Sequence, residues 1–244
     1  MAEQMETAAP AASAATATET TTTTLPSINE VQVSGRGVLR LECDWAVGIG
    51  GGLWSTGILL TEHLAKHAAL YDDVFRGKRI LELGSGTGLA GLAAARFGPP
   101  LEVVITDLES HVEICRRNVA RDAATGAQAS TFLRTARSTG LCSVRAEAYD
   151  WSGGVPSAVG AVPFDVILGT DVAYYEHLYA PFIRASALEC TAGQDTLVLL
   201  GVTRTDTGPA FFDALDKAGF VYNLVDQASH KGFGLFTVCR EGLE

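Results

Sequence analysis

Residues 82–88 read Glu-Leu-Gly-Ser-Gly-Thr-Gly, and Asp107 lies one structural element further along the chain. Glycines at this spacing let the backbone turn sharply and approach a ligand closely. The pattern is GxGxG. The dinucleotide fingerprint GxGxxG requires glycine at position 89, which is Leu89 here. Glu82 precedes the first glycine. A carboxylate at that point repels a pyrophosphate, which an adjoining helix start would otherwise attract. It favours a ligand with positive charge instead. Asp107 closes the next apolar run, where an acid can accept hydrogen bonds from both hydroxyls of a ribose. Either acid alone is ambiguous, since a lone Asp107 also reads as a helix cap with Ser110 as its competitor. The two at successive strand ends are far more specific. S-adenosylmethionine carries a ribose, an ammonium and a sulfonium, and no phosphate, so it fits this pair.

Three further stretches hold candidate site residues. Trp151 follows Asp150 and can stack on or edge an adenine; packing in the core is an equal reading. Trp54 follows Gly50, Gly51 and Gly52, a loop able to close over a ligand. Residues 164–175 run from an apolar strand through Gly169 and Thr170 to Asp171, Tyr174 and Tyr175. A carboxylate beside aromatic rings suits an amine, through charge, hydrogen bonding and cation–π contact. A solvated acid and two packing tyrosines are the plain alternative. Asp165, at the start of that strand, is expected to be structural. His63 and His67 have the i, i+4 spacing that can bind metal on a helix. With no third ligand evident, an exposed helical face is expected and no metal is assigned. No GxSxG elbow and no Walker A sequence occurs.

These residues need elements to position them. Strand character spans 31–45, and helical spacing spans 55–69. Then strands and helices alternate: strand 79–83, helix 89–97, strand 103–105 ending at Thr106 and Asp107, and a helix from Ser110 to about 121. Ser110 and Glu113 have capping-box spacing for that helix. A weaker strand at 144–148 precedes the strong strand 164–168, helix 178–190, strand 197–200 and helix 209–218. Strands 221–225 and 233–238 follow with no helix between them. Alternation of this kind implies a parallel sheet covered by helices, and the closing hairpin implies one antiparallel strand near an edge. Residues 1–27, rich in Ala and Thr, are expected to be a disordered tail, and 28–244 one domain with a surface insertion at about 124–142.

Bulk properties agree with an α/β domain. Of 244 residues, 47% are hydrophobic, enough for a sizeable core. The net charge of -10, with 18 Lys and Arg against 28 Asp and Glu, argues against nucleic acid. No apolar run reaches the roughly 20 residues a bilayer span needs, so no membrane partner is expected. Cys43, Cys115, Cys142, Cys190 and Cys239 are odd in number and lack a CxxC pair, which points to reduced thiols. The tail holds Glu3, Glu6 and Glu19 and no Lys or Arg, unlike an organelle presequence. A cytoplasmic monomer is expected, with the nucleus as the other address.

The chain resembles the seven-strand class I methyltransferases, and more narrowly the methyltransferase-16 family of protein-lysine methyltransferases. The likeness runs from about residue 38 to the end. Trp54 before a helix, the motif from Glu82 to Gly88, Asp107, Trp151, and the DxxY motif at Asp171, Val172, Ala173 and Tyr174 carry it. The resemblance implies a Rossmann-like seven-strand sheet and S-adenosylmethionine as cofactor. It implies that Trp54, Gly84, Ser85, Gly86, Asp107, Trp151 and Thr170 contact that cofactor, beside Glu82 and Gly88 of the same motif. Asp171 and Tyr174 are implied to line the substrate site, with a lysine-bearing protein as partner. The insertion and the Thr-rich tail depart from the family pattern. A small-molecule N-methyltransferase and a binding module without turnover are the alternatives. A NAD-dependent dehydrogenase is disfavoured by Leu89 and Glu82.

Overall fold

The computed structural model describes residues 26–125, 142–160, 162–186, 195–203, 207–228 and 232–240. Residues 1–25 of the expected tail, nearly all of the expected insertion and Cys190 lie outside them, while Ser27, expected in the tail, opens the first strand.

Alternation of hydrophobic and polar residues opens the fold with a hairpin, β1 (Ser27–Val33) and β2 (Gly37–Cys43), antiparallel and separate from the main sheet. Val31, Val33, Leu39 and Leu41 point inward and are buried. The sequence pattern showed strand character here but not the turn at Gly35 and Gly37 that folds it into two strands. The hairpin is fixed to the domain by Glu42, which pairs with Arg117 and Arg121, each at 2.8 Å, and by Asn118, whose side-chain amide bonds the Glu42 backbone.

The main sheet is β3 (Arg79–Leu83), β4 (Glu102–Asp107), β5 (Ser143–Ala148), β6 (Val166–Thr170), β7 (Leu197–Thr203), β8 (Phe220–Ala228) and β9 (Phe233–Arg240). Their spatial order is β5-β4-β3-β6-β7-β9-β8. The first five run parallel, and β9 lies antiparallel between β7 and β8. This is the mostly parallel seven-strand sheet with one reversed C-terminal strand that the sequence implied. The central strands read as near-continuous apolar runs, broken in β3 by Glu82, because both faces are covered. One core lies under the hairpin with α1 (Ser55–Lys66), α2 (Ala68–Val74), α3 (Leu89–Ala94) and α4 (Val112–Thr125). The opposite core packs α5 (Tyr179–Arg184) and α6 (Pro209–Lys217) against the sheet.

Several local expectations shift. The helix expected over 55–69 breaks at His67, whose ψ of 35° ends α1 before α2 begins. The capping box at Ser110 does not form: the Ser110 hydroxyl pairs with the His111 ring at 2.9 Å and Glu113 pairs with Arg116. Asp165 is structural as expected, accepting from the Arg79 backbone N–H at 2.8 Å and so tying β6 to β3. Cys43, Cys115 and Cys239 are free thiols. Among the described residues no helix is long and apolar enough to cross a membrane.

Candidate active site

Beta3 and β6 are neighbours, and β3 and β4 are neighbours, so the loops after all three open on one side of the sheet. In open parallel sheets a ligand crevice forms at this carboxyl edge, where strand order reverses. The crevice here has a volume of about 840 Å³. Its walls include Trp54, Gly84, Ser85, Gly86, Asp107, Trp151, Thr170, Asp171 and Tyr174. Nine of the eleven residues singled out from sequence therefore meet in one place.

The glycine loop is shaped by what surrounds it. Gly84 has a φ of +63°, and a Cβ there would stand 2.8 Å from Val172 Cγ1 and 3.0 Å from the Trp151 ring. At Gly86, φ +57°, a Cβ would meet the Gly50 carbonyl oxygen at 2.9 Å. The loop is a cradle that side chains would fill. Behind it the Cys115 thiol donates to the Gly86 carbonyl at 3.1 Å, and burial pushes that thiol up to about 12, so it stays protonated.

Asp107 anchors the cradle from β4. One carboxylate oxygen accepts from the Gly86 N–H and the other from the Leu108 N–H, both at 2.7 Å. Burial raises its carboxyl above the usual range, and those two N–H groups and His111 pull it back. A carboxylate with both oxygens held in place is a pre-oriented acceptor for hydroxyls.

Glu82 and Gly88 are placed differently from expectation. Neither lies on the crevice wall. Glu82 is buried with one oxygen accepting from the Gly91 N–H at 2.9 Å, while the other has no partner among the described residues. Burial pushes its carboxyl up to about 8. The sequence placed this charge beside the ligand; the side chain instead turns under the loop toward the first turn of α3. Gly88, in the left-handed region, starts α3. Both shape the cradle from behind.

Asp171 is also more than a free carboxylate. It sits at φ +54°, and its backbone N–H bonds Gly201. One oxygen accepts from the Thr56 N–H at 3.1 Å and the other from the Thr203 hydroxyl at 2.6 Å. Trp54, at the N-cap of α1, makes no side-chain cap, so Asp171 caps that helix from across the crevice. A carboxylate offers about four lone-pair sites, so two remain for a ligand. Tyr174 packs against Tyr175, with ring centroids 4.8 Å apart. Burial raises the Tyr174 hydroxyl above its usual value, with Asp107 and Tyr175 adding to the shift, so it is a donor and not a base.

Sequence reasoning missed His111 and the way the N-terminal loop is held. The His111 ring lies where a Cβ at Gly50 would be 2.5 Å from it. Trp54 donates its indole N–H to the Ile49 carbonyl at 2.9 Å, and Trp45 meets its ring edge-on. Only the glycine triplet hinted at this loop, and nothing in the spacing tied it to a histidine on another element. The crevice wall carries Asp107, Asp150 and Asp171 and, among the described residues, no Lys or Arg.

A seven-strand sheet in this order, with a glycine cradle and a strand-end acid at its carboxyl edge, defines a Rossmann-like methyltransferase fold. Comparison with solved structures agrees. The T. thermophilus 16S rRNA N2 methyltransferase RsmC, solved with AdoMet and guanosine, superposes with a TM-score of 0.59 at 17% identity, covering 89% of this chain and 51% of that one. The Escherichia coli protein yhhF superposes at 0.55 and 15% identity, covering 87% and 99%.

Residues 34–218 match the family described as lysine methyltransferase, and the chain belongs to that family. It is 28% identical over 185 residues to the protein-lysine N-methyltransferase EEF2KMT of Mus musculus, covering 74% of this chain and 52% of that protein. It is 31% identical over 163 residues to the protein N-lysine methyltransferase METTL21A of Danio rerio, covering 66% and 65%. The chain thus spans between about half and two thirds of the length of these relatives.

Proposed function

We propose that this chain is an S-adenosylmethionine-dependent N-methyltransferase acting on a lysine of a protein substrate. The observation that carries the reading is the crevice wall: a glycine cradle, three carboxylates, aromatic rings and, among the described residues, no Lys or Arg. Those residues fit the cofactor. Asp107 offers held acceptors for ribose hydroxyls, and Trp151 presents a flat ring whose buried N–H has no partner among the described residues. A site of this charge suits a sulfonium and an ammonium and disfavours a pyrophosphate. When bound, S-adenosylmethionine supplies an electrophilic methyl group. The named relatives, protein-lysine methyltransferases by their descriptions, support the same acceptor class.

The chain's own residues would prepare the amine. A lysine has an ordinary pKa of about 10.4, so presenting it neutral near pH 7.4 costs roughly 4 kcal/mol. Aromatic walls offset this by desolvating the ammonium, and Tyr174 and Tyr175 stand at the site for that. Asp171 favours the charged amine, which suits capture and orientation of the nitrogen before its proton leaves to water. Holding reactants in line is then the main catalytic contribution. The mouth exposes Ile49, Trp54, Leu108 and Tyr175. Exposed apolar side chains clustered at a rim mark a surface for another protein, which favours a protein acceptor over an enclosed small molecule.

The test is incubation of the chain and methyl-labelled S-adenosylmethionine with a cell extract. Protein-bound label that hydrolyses to methyllysine is the expected result. Label confined to small molecules, or held on carboxylates or thiols, overturns it.

A further inference from the structure

His63 and His67 stand one turn apart on α1, the spacing with which two imidazoles can share a metal. The sequence offered no third ligand. The fold supplies one from the far end of the chain. Strand β8 slips register between Leu224 and Asp226, and past this bulge Asp226 turns onto the C-terminal end of α1. Bulges of this kind re-aim side chains. Ligand atoms of His63, His67 and Asp226 all lie within 4.8 Å of one another.

We propose that His63, His67 and Asp226 form a zinc(II) site that pins α1 to the edge strand β8. Two imidazole nitrogens and one carboxylate oxygen are a recurrent zinc donor set, with bonds of about 2.0–2.2 Å and water completing a tetrahedron. In that geometry neighbouring donor atoms stand about 3.3 Å apart. His63 Nδ1 and Asp226 Oδ2 are now 2.8 Å apart in a hydrogen bond, so this pair opens slightly. His67 closes in, its ring centroid being 4.6 Å from that of His63.

The surroundings of His63 support ligation. Its other nitrogen, Nε2, is 2.9 Å from the Tyr71 hydroxyl. A metal-bound imidazole characteristically gives its second N–H to an oxygen, which fixes the ring and its tautomer. Zinc at Nδ1 leaves the proton on Nε2, donating to Tyr71. The bond lost is the hydrogen bond from Nδ1 to Asp226; the bonds gained run from zinc to Nδ1, to an imidazole nitrogen of His67 and to Oδ2. One charge opposes the metal: Lys66 Nζ lies 3.6 Å from Asp226 Oδ2. Lys66 is well exposed and can swing away.

This arrangement makes no contact with the crevice wall. From Thr56 at the crevice end to His67, α1 covers about 16 Å at 1.5 Å per residue.

The full chain, stripped with a chelator, is titrated with zinc chloride by calorimetry and followed by thermal unfolding. One zinc per chain and a raised Tm are expected, with magnesium giving neither. His67→Ala and Asp226→Asn should each weaken binding at least tenfold. Tyr71→Phe, which removes the oxygen facing His63 Nε2, should weaken it by roughly tenfold or more. Lys66→Gln should tighten it, an outcome that damage to the fold would not produce. Affinity for S-adenosylhomocysteine should stay unchanged throughout. Failure of the wild-type chain to take one zinc overturns the proposal. So does retained affinity in both His67→Ala and Asp226→Asn, which would move any bound zinc to thiols such as Cys239.

Discussion

Replacing Asp171 separates two roles that one carboxylate plays. It caps α1 through the Thr56 N–H, bonds the Thr203 hydroxyl, and faces the crevice. Alanine removes both bonds. Loss of a helix cap costs about 1 kcal/mol, and loss of the hydrogen bond to Thr203 about 1 kcal/mol more. Alanine must also hold φ +54°, a region that costs an ordinary residue roughly 1–2 kcal/mol. Asp171→Ala should therefore destabilise the fold by about 3–4 kcal/mol. Asparagine tolerates the left-handed region. Its carbonyl can accept from Thr56 while its amide donates to Thr203, so Asp171→Asn should cost less than about 1 kcal/mol. What asparagine removes is the charge. A hydrogen bond to a charged group exceeds a neutral one by about 1.4 kcal/mol, which is a tenfold loss in kcat/KM. Denaturant unfolding should show the large gap between the two variants. Methyl transfer to an identified protein substrate should fall at least tenfold in Asp171→Asn, with affinity for S-adenosylhomocysteine close to wild type. Wild-type turnover in Asp171→Asn would refute the role of the charge and leave Asp171 as a structural cap alone.

Other perturbations test the cofactor half. Asp107→Ala should weaken S-adenosylhomocysteine binding by about 1.5–3 kcal/mol for each ribose bond lost, read by calorimetry against a native circular dichroism spectrum. Gly84→Ala drives a methyl to within 2.8 Å of Val172 and 3.0 Å of Trp151 at a positive φ; cofactor binding should collapse and the Tm fall, and full binding would show the loop to be slack. Glu82 titrates near 8 folded and near its ordinary 4.5 unfolded. Between those values the folded chain holds a proton that the unfolded chain has released, so the stability this group permits declines as pH rises from about 5 to 8. Glu82→Gln should flatten that part of the Tm profile, and an unchanged slope would place the titration elsewhere.

Much of this fold is legible in the sequence because its strands are buried on both faces and its helices follow each in turn. The runs around Val104 and Ile167 are apolar and the one around Ile80 is broken only by Glu82, and that pattern together with alternation leaves few topologies open. The crevice is legible for the same reason, since motifs at strand ends in such a sheet converge on one edge. What periodicity cannot show is where a buried polar side chain turns. Glu82 and Asp107 lie near the ends of adjacent strands, Asp107 two residues further along in register, and one points under the loop while the other faces the crevice. The cause is the packing of α3, whose Gly91 N–H receives Glu82. Asp171 carried the same ambiguity, and its two backbone and hydroxyl partners come from α1 and β7, elements 115 and 32 residues away. Long-range bonds of this kind leave no local trace in spacing. His63 is a third case, expected on an exposed face and found buried between Tyr71 and Asp226.

These long-range bonds converge on α1. Its first turn is capped by Asp171 from β6, and Gly57 beside that cap lies on the crevice wall. Its last turn is held by Asp226 from β8 through His63. The helix is thus a strut of about 18 Å, at 1.5 Å per residue, between the crevice and the edge of the sheet. Trp54 immediately precedes it, so the loop over the crevice takes its position from the strut as well. A helix fixed at both ends by carboxylates from the sheet keeps the Asp171 side chain and the Trp54 loop in a constant relation. That relation matters to a transfer reaction that depends on alignment, because a displacement of about 1 Å can cost a hundredfold in rate. Rigidity at the β8 end is therefore a contribution to geometry at the crevice, made without any contact with the reacting groups.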